Sequence, residues 1–273
     1  MVIFSNSKIN LGLWVLNKRE DGYHNISTIF YPIEWSDVIE IIPDYSKEND
    51  VDIEILGMKL DVEKKQNIIY KAYCLLQNKF SNLPFLKIYL YKNVPYGAGL
   101  GGGSANAAYF IKACNDLLKL NLSINEMKEM AAQLGADCAF FIENKPMLAS
   151  DKGDKLEAIQ IDLSGYYLYV VFPRIQISTK EAYQNIQAKM RENNMAEIIK
   201  MPITQWKNNL ENDFEKYVFL KYPEIEKIKQ ILYDKGAVYA SLSGSGSAVY
   251  GIFYNKIEIK EILVKYRIFF QEL

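Results

Sequence analysis

The sequence predicts an α+β protein in two domains, and three observations carry that reading. Apolar alternation of period two recurs in clusters. Amphipathic stretches of period 3.6 stand between the clusters, and few strand–helix–strand units repeat as a doubly wound parallel sheet would require. Around residues 143–165 (ENKPMLASDKGDKLEAIQIDLSG) the regular pattern weakens. That places a domain crossover there, with an N-terminal domain over 1–155 and a C-terminal domain over 156–273.

Each element follows from its own pattern. In KINLGLWVLNK, Ile9, Leu11, Leu13 and Val15 share one face of a strand, and Lys8, Asn10, Gly12 and Trp14 share the other. The first is a core face; the second reads as a polar face turned away from the core. REDGYH follows, and its Asp21-Gly22 pair is a hairpin signal. ISTIFYPIEW and DVIEIIP read as further strands. NIIYKAYCLLQNKF sets Ile68, Ala72, Leu75, Leu76 and Phe80 at helical spacing. FLKIYLYKNVP is a strand that runs into a glycine-rich loop, and a helix is predicted after it from Ser104 to Leu118. A second helix opens at Ser123, where Glu126 completes a capping box, and closes at Gly135. Past the crossover come a strand, YYLYVVF, and a helix around 180–192. A polar stretch over 193–213 without a clear period precedes the helix EIEKIKQILYDKG. AVYASLSGSGSAVYGIFY reads as two strands joined by a second glycine-rich turn, and an amphipathic helix is predicted over 257–270.

Composition narrows the function classes. The 273 residues are 49% hydrophobic and 24% charged, which supports a substantial core, and the net charge of −1 offers no basic face for nucleic acid. The single histidine, His24, excludes a multi-histidine metal site, and the cysteines Cys74, Cys114 and Cys138 lie too far apart for a zinc pattern or a disulfide framework. MVIFSNSKIN lacks the flank and apolar stretch of a signal peptide, and no apolar run approaches the ~20 residues of a membrane span. The expectation is a soluble cytoplasmic protein with neither nucleic acid nor membrane as partner.

The loop NVPYGAGLGGGSANAAYF holds five glycines between Gly97 and Gly103. The P-loop pattern fails on it, because Gly103 stands where that pattern needs a lysine. The dinucleotide pattern G-x-G-x-x-G matches at Gly97, Gly99 and Gly102, but two helical segments follow where a second strand ending in an acid should stand. A third reading is an anion cradle of another make. Glycine lets backbone approach a phosphate, and the following helix start supplies unpaired N–H groups and a positive dipole end.

PYGAGLGGGSANAA resembles the second motif of the GHMP kinases, the family of galactokinase and the homoserine, mevalonate and phosphomevalonate kinases. SLSGSGSAVYGIF (241–253) is similar to the family's third motif, and KINLGLWV (8–15) to its first. DGYH (21–24), NII (67–69) and LGADCAFFI (134–142) resemble marks of the branch whose acceptor is a cytidine-diphosphate-linked methylerythritol. The matches run in the family's order from residue 8 to 251.

The resemblance implies a two-domain kinase with its active site in the cleft between domains, using ATP and Mg²⁺. It implies that Pro95, Gly97, Gly99, Leu100, Gly101, Gly102, Gly103, Ser104 and Asn106 hold ATP, with Lys92 and Asn67 near the nucleotide. For Asn67 an N-cap of the helix at Ile68 is an equal reading. Lys8 and Asp137 would flank the attacking hydroxyl, the aspartate taking its proton or orienting it. Asn10, Tyr23, His24, Thr179, Tyr183, Gly244 and Gly246 would meet the acceptor, Tyr23 and His24 at its cytidine end. No Mg²⁺ ligand is assigned, and a monomer or weak homodimer is expected. Ala139 stands where the family usually has proline, and ISTKEAY (177–183) only loosely matches its substrate loop. Within the fold the alternative is a kinase of homoserine or mevalonate type. Rivals of other classes are a non-catalytic nucleotide-binding protein on the same scaffold and a nicotinamide oxidoreductase.

Overall fold

The computed structural model describes residues 1–47, 50–60, 62–259 and 265–273. It opens with the long strands β1 (Val2–Lys18) and β2 (His24–Asp44), joined through the Asp21-Gly22 turn. There the amide of Arg19 donates to the carbonyl of Tyr23 at 2.8 Å. The two strands expected over 26–43 are one continuous strand. Next come β3 (Val51–Gly57), α1 (Ile68–Lys79), β4 (Phe85–Lys92), α2 (Gly102–Leu118), α3 (Ile124–Ala132) and α4 (Phe140–Glu143). The second part holds β5 (Met147–Ser150), β6 (Lys155–Ala158), β7 (Tyr167–Phe172) and α5 (Thr179–Gln184). Four helices, α6 (Met195–Ile198), α7 (Trp206–Asn209), α8 (Glu215–Lys221) and α9 (Pro223–Asp234), precede β8 (Tyr239–Leu242), β9 (Val249–Phe253) and β10 (Arg267–Glu272).

The chain forms two compact units whose segments interleave. One comprises 1–7, 34–96 and 101–145; the other comprises 8–33, 97–100 and 146–273. In the first unit β4 pairs in parallel with β3 and antiparallel with residues 38–44 of β2. Alternation buries Ile39 and Ile41, Val51, and Leu86, Ile88 and Leu90 on one sheet face. Helices α1 and α2 pack on each other, and α2 on α3 and α4, closing over Ile69, Leu76, Phe110 and Phe140.

In the second unit β10, β7, β9 and β8 form an antiparallel sheet in that order. Helix α9 lies on β8 and β9 and buries Ile225, Ile228 and Leu232 at helical spacing. Leu13 and Val15 of β1 join the same core, with Tyr169, Val171, Leu242 and Val249. Residues 28–30 of β2 pair with β5, which pairs with β6.

Several expectations change. The second face of β1 is not solvent-facing: Lys8, Asn10 and Trp14 are as buried as the apolar face. The helix around 180–192 stops at Gln184, because QAKMRENN has no apolar stripe and the Lys189 amide donates instead to Val15 O at 2.9 Å. Helix α3 ends at Ala132, short of Gly135, and α2 begins at Gly102, two residues before Ser104. Of the helix expected over 257–270, residues 260–264 lie outside the described residues, and 267–270 belong to strand β10. There the Arg-Ile-Phe-Phe run pairs with Phe172–Tyr169 of β7, so ladder hydrogen bonds and aromatic stacking override a weak helical period. Among the described residues no helix is long and apolar enough to cross a membrane.

Candidate active site

In the second unit, residues 97–100 of the glycine-rich loop, the turn 243–247 and residues 8–10 of β1 meet. The Lys8 amide donates to Leu100 O at 3.0 Å. Its ammonium donates to Asn10 Oδ1 at 2.6 Å and to Gly99 O at 3.3 Å, and sits 4.8 Å from the centre of the Phe30 ring. Lys8 is 3% exposed and Asn10 1%. A lysine is rarely buried so deeply unless its charge is met by oriented acceptors. Here carbonyl dipoles and an aromatic face meet it.

The turn 243–247 packs against the same residues. Ser243 Oγ donates to Gly99 O at 2.8 Å and accepts from the Asn10 amide at 3.3 Å, and the Ala248 amide donates to Ala98 O at 3.1 Å. Gly99 has φ +76, and a Cβ there would stand 1.9 Å from Ser243 O, so only glycine fits. A Cβ on Gly244 would stand 3.4 Å from Asn10 Oδ1, and one on Gly246 would meet Leu242 and Ile177 at 3.0 and 3.1 Å. Asn212 braces the turn from behind, donating to Leu242 O and Gly244 O at 2.8 and 2.9 Å.

At the start of β2, His24 is half-buried and stacks on Tyr183 of α5, with ring centroids 5.3 Å apart and planes 19° apart. Burial, then the charge of Lys18, holds the His24 imidazole below its ordinary value and favours the neutral ring at pH 7. Tyr183 is wedged edge-on against Phe214 at 4.9 Å. Tyr23 is exposed, with the Lys152 ammonium 5.6 Å from its ring centre. Thr179 is exposed at the start of α5, its hydroxyl 3.2 Å from that of Ser245.

In the first unit, Gly101 is the left-handed N-cap of α2, and its carbonyl takes the Ala105 amide at 2.9 Å. The amides of Gly102, Gly103 and Ser104 precede that first helical bond and are available to an anion. Gly103 carries the sharper signal. Its φ demands no glycine, and among the described residues nothing lies within 4 Å of where its Cβ would stand. Internal packing does not explain the missing side chain, and the open space leaves room for an anion at the helix start. Gly102 is different, since a Cβ would stand 2.9 Å from Val94 Cγ1. Pro95 is buried just before the loop.

Lys92 is buried and forms an ion pair with Asp37, whose other carboxylate oxygen accepts the amides of Asn93 and Val94 at 2.7 Å each. The Lys92 ammonium lies 3.6 Å from where a Gly102 Cβ would stand, beside the first turn of α2. Asn106 is buried and its Oδ1 accepts from Ser5 Oγ at 2.7 Å; Asn67 caps α1, accepting the Ile69 amide at 2.9 Å. Both therefore have structural work inside their unit. Asp137 is half-buried in the turn before α4. That helix starts from Ala139 with no side-chain cap, so Asp137 is not spent as its N-cap. Ala139 has φ −62, the value proline imposes, so the departure from the family's proline leaves the backbone course unchanged. Burial pushes the Cys138 thiol up to about 12, against a smaller opposing pull from the Ser104 hydroxyl, and leaves it unreactive.

The structure thus gathers Lys8, Asn10, Gly99 and Gly244 in one unit, together with the His24–Tyr183 stack. It gathers Lys92, Gly102 and Asp37 in the other, to which Gly103, Asn106 and Asp137 also belong. Sequence reasoning missed Asp37, Thr28, Asn212 and Ser243. Asp37, a lone carboxylate in an apolar alternating strand, carried a readable signal.

Comparison with known proteins matches residues 67–145 to the GHMP kinases N terminal domain and 187–272 to the GHMP kinases C terminal. A 4-diphosphocytidyl-2-C-methyl-D-erythritol kinase of Bacteroides fragilis is 48% identical over 254 residues, covering 93% of this chain and 92% of its own. The enzyme of that name from Cytophaga hutchinsonii is 47% identical over 259 residues, covering 94% of each chain. A crystal structure of a 4-(cytidine 5'-diphospho)-2C-methyl-D-erythritol kinase matches with a TM-score of 0.82 at 25% identity, over 99% of this chain and 98% of the other. The Methanococcus jannaschii mevalonate kinase shares the fold, with a TM-score of 0.71 at 18% identity over 100% and 98% of the chains.

The ion pair beneath the loop generates a stability prediction. Asp37→Ala leaves Lys92 buried and uncompensated and should cost about 3–5 kcal/mol of unfolding free energy. Lys92→Met leaves a carboxylate that still accepts two backbone amides, and should cost clearly less. Urea denaturation of both variants checks the order; an Asp37→Ala cost equal to or below that of Lys92→Met contradicts it.

Proposed function

The chain belongs to the GHMP kinases, among the 4-diphosphocytidyl-2-C-methyl-D-erythritol kinases, and from that premise we infer that it transfers the γ-phosphoryl group of ATP to the 2-hydroxyl of 4-diphosphocytidyl-2-C-methyl-D-erythritol. In this reading it serves the methylerythritol phosphate route to isoprenoids. It acts in the cytoplasm as a monomer or weak homodimer on a small-molecule acceptor.

The observation that carries the reading is the buried Lys8–Asn10 pair against Gly99, in the same unit as a stacked His24–Tyr183 pair. Phosphoryl transfer needs alignment and charge neutralisation more than covalent help. The amides at the start of α2 would take the ATP phosphates, with the open face of Gly103 as the place of closest approach. Lys8 would offset charge on the transferring group. Asp137 would accept the proton of the 2-hydroxyl as that oxygen bonds to the γ-phosphorus and the bond to the β,γ-bridging oxygen breaks, releasing ADP. Mg²⁺ would enter with the phosphates, which supply its hard oxygen ligands, with Ser104 as a hydroxyl near them. Among the described residues no group of three or more His, Cys, Asp or Glu is arranged to hold a metal. The exposed Tyr23 and the His24–Tyr183 pair would hold the cytosine, which offers a π-face and ring acceptors. A homoserine or mevalonate acceptor carries no base to meet these rings.

Incubation of the purified protein with ATP and the cytidine-linked alcohol should give one new phosphomonoester signal by ³¹P NMR, and none with homoserine or mevalonate. Asp137→Asn should keep its fold and its ATP affinity while kcat falls on the order of 10²-fold or more. Comparable kcat/KM on either simple alcohol refutes the acceptor assignment. A near-normal kcat for Asp137→Asn at saturating acceptor removes Asp137 from its role.

A further inference from the structure

We propose that Thr28 is a positioning residue that locks the side-chain amide of Asn10 so that its oxygen, and not its nitrogen, faces Lys8. The proposal rests on the reading that Lys8 works in phosphoryl transfer.

Thr28 is completely buried on β2, opposite Ala149 of β5. Its hydroxyl has one proton to give. That proton goes to Gly12 O at 2.6 Å, at a left-handed position of β1 with φ +69. Toward Asn10 the Thr28 oxygen can therefore only accept, and it accepts from Asn10 Nδ2 at 2.8 Å. An amide is nearly symmetric in shape, so packing alone does not choose between its two orientations. The direction of the Thr28 proton does. With Nδ2 committed to Thr28, Oδ1 must point the other way, where it takes the Lys8 ammonium at 2.6 Å. The reversed amide would set a donor against the ammonium and an oxygen against an oxygen.

The backbone of Asn10 is held independently. Its carbonyl accepts from Tyr250 Oη at 2.7 Å and its amide donates to Ser243 Oγ. The polar relay from Gly12 through Thr28 and Asn10 thus acts on the side chain. Phe30, two residues further along the same face of β2, supplies the ring beside the ammonium. One strand face therefore fixes both the direction and the bed of Lys8. Buried relays of this kind have large effects when one member is lost, because the others cannot turn to water.

The test compares Thr28→Val, which keeps the shape and removes the hydroxyl, with Thr28→Ser, which keeps the hydroxyl. The Val variant should lose about tenfold in kcat with both KM values within about twofold of wild type, and the Ser variant should stay within about twofold in all three. Equal losses in Val and Ser, an unchanged kcat in Val, or a kcat loss accompanied by a raised acceptor KM each overturn the proposal. The last would mean that the strand after His24 had been disturbed as a whole. If Thr28→Val does not fold, Thr28→Cys, a weak donor and acceptor of similar size, carries the same comparison. Lys8→Ala separates the two readings: retained turnover there defeats the proposed role of Lys8. An inactive Lys8→Ala beside a fully active Thr28→Val defeats the present inference alone. A readout without turnover is the Asn10 side-chain amide in the ligand-free protein, identified by its loss in Asn10→Asp. Slow exchange with water in wild type and Ser and fast exchange in Val supports the lock; the same rate in all three overturns it.

Discussion

The structure of the candidate site depends on one backbone contact, the approach of Gly99 to the carbonyl of Ser243. The space left at Gly99 is too small for any side chain. That closeness lets Ser243 Oγ reach Gly99 O, and Gly99 O in turn faces the Lys8 ammonium. Asn212 fixes the far side of the turn through two carbonyls, and the amide of Lys8 fixes Leu100. Two glycine-rich stretches far apart in sequence are thereby made a single rigid support. The glycines at 97–103 do unlike things. Gly99 and Gly102 are required by the protein's own packing, whereas Gly103 leaves open space at a helix start, as a phosphate would need.

Both buried cations are met by fixed, oriented acceptors. Lys92 is matched by a full carboxylate that is itself held by two amides. Such a pair is expensive to break and contributes order to the loop it underlies. Lys8 is met by the oriented oxygens of Asn10 and Gly99 and by the face of Phe30. Preorganised dipoles around a charge need not rearrange when negative charge develops nearby, which is the property phosphoryl transfer rewards.

Much of this was legible in the sequence, and the exceptions have physical causes. The helices α1, α2 and α9 and the strands β4 and β7 announce themselves by period. Asn67 and Ser123 mark helix starts by their capping chemistry. The glycine loop and its helix could be read because so few sequences need five glycines there. The burial of Lys8 and Asn10 was hidden, since alternation signals two faces and does not say that both are covered. Strand β10 was hidden because its partner β7 lies about a hundred residues away and a short apolar run fits either period. Thr28 was hidden for the same reason, as its role exists only through Asn10 and Gly12 on the neighbouring strand. Asp37 is legible, as a carboxylate within an apolar alternating strand.

The most direct measurement of the central claim is the turnover of Gly99→Ala beside its thermal melt. A methyl at this position must push the Ser243 turn away, because both partners are backbone and neither can rotate aside. The account predicts a folded protein with a cooperative melt whose kcat/KM for ATP falls on the order of 10²-fold or more, as the supports of Lys8 and the loop separate. A cooperative melt together with wild-type kcat/KM would contradict it, and would show that the contact between the two glycine turns is not what holds the site.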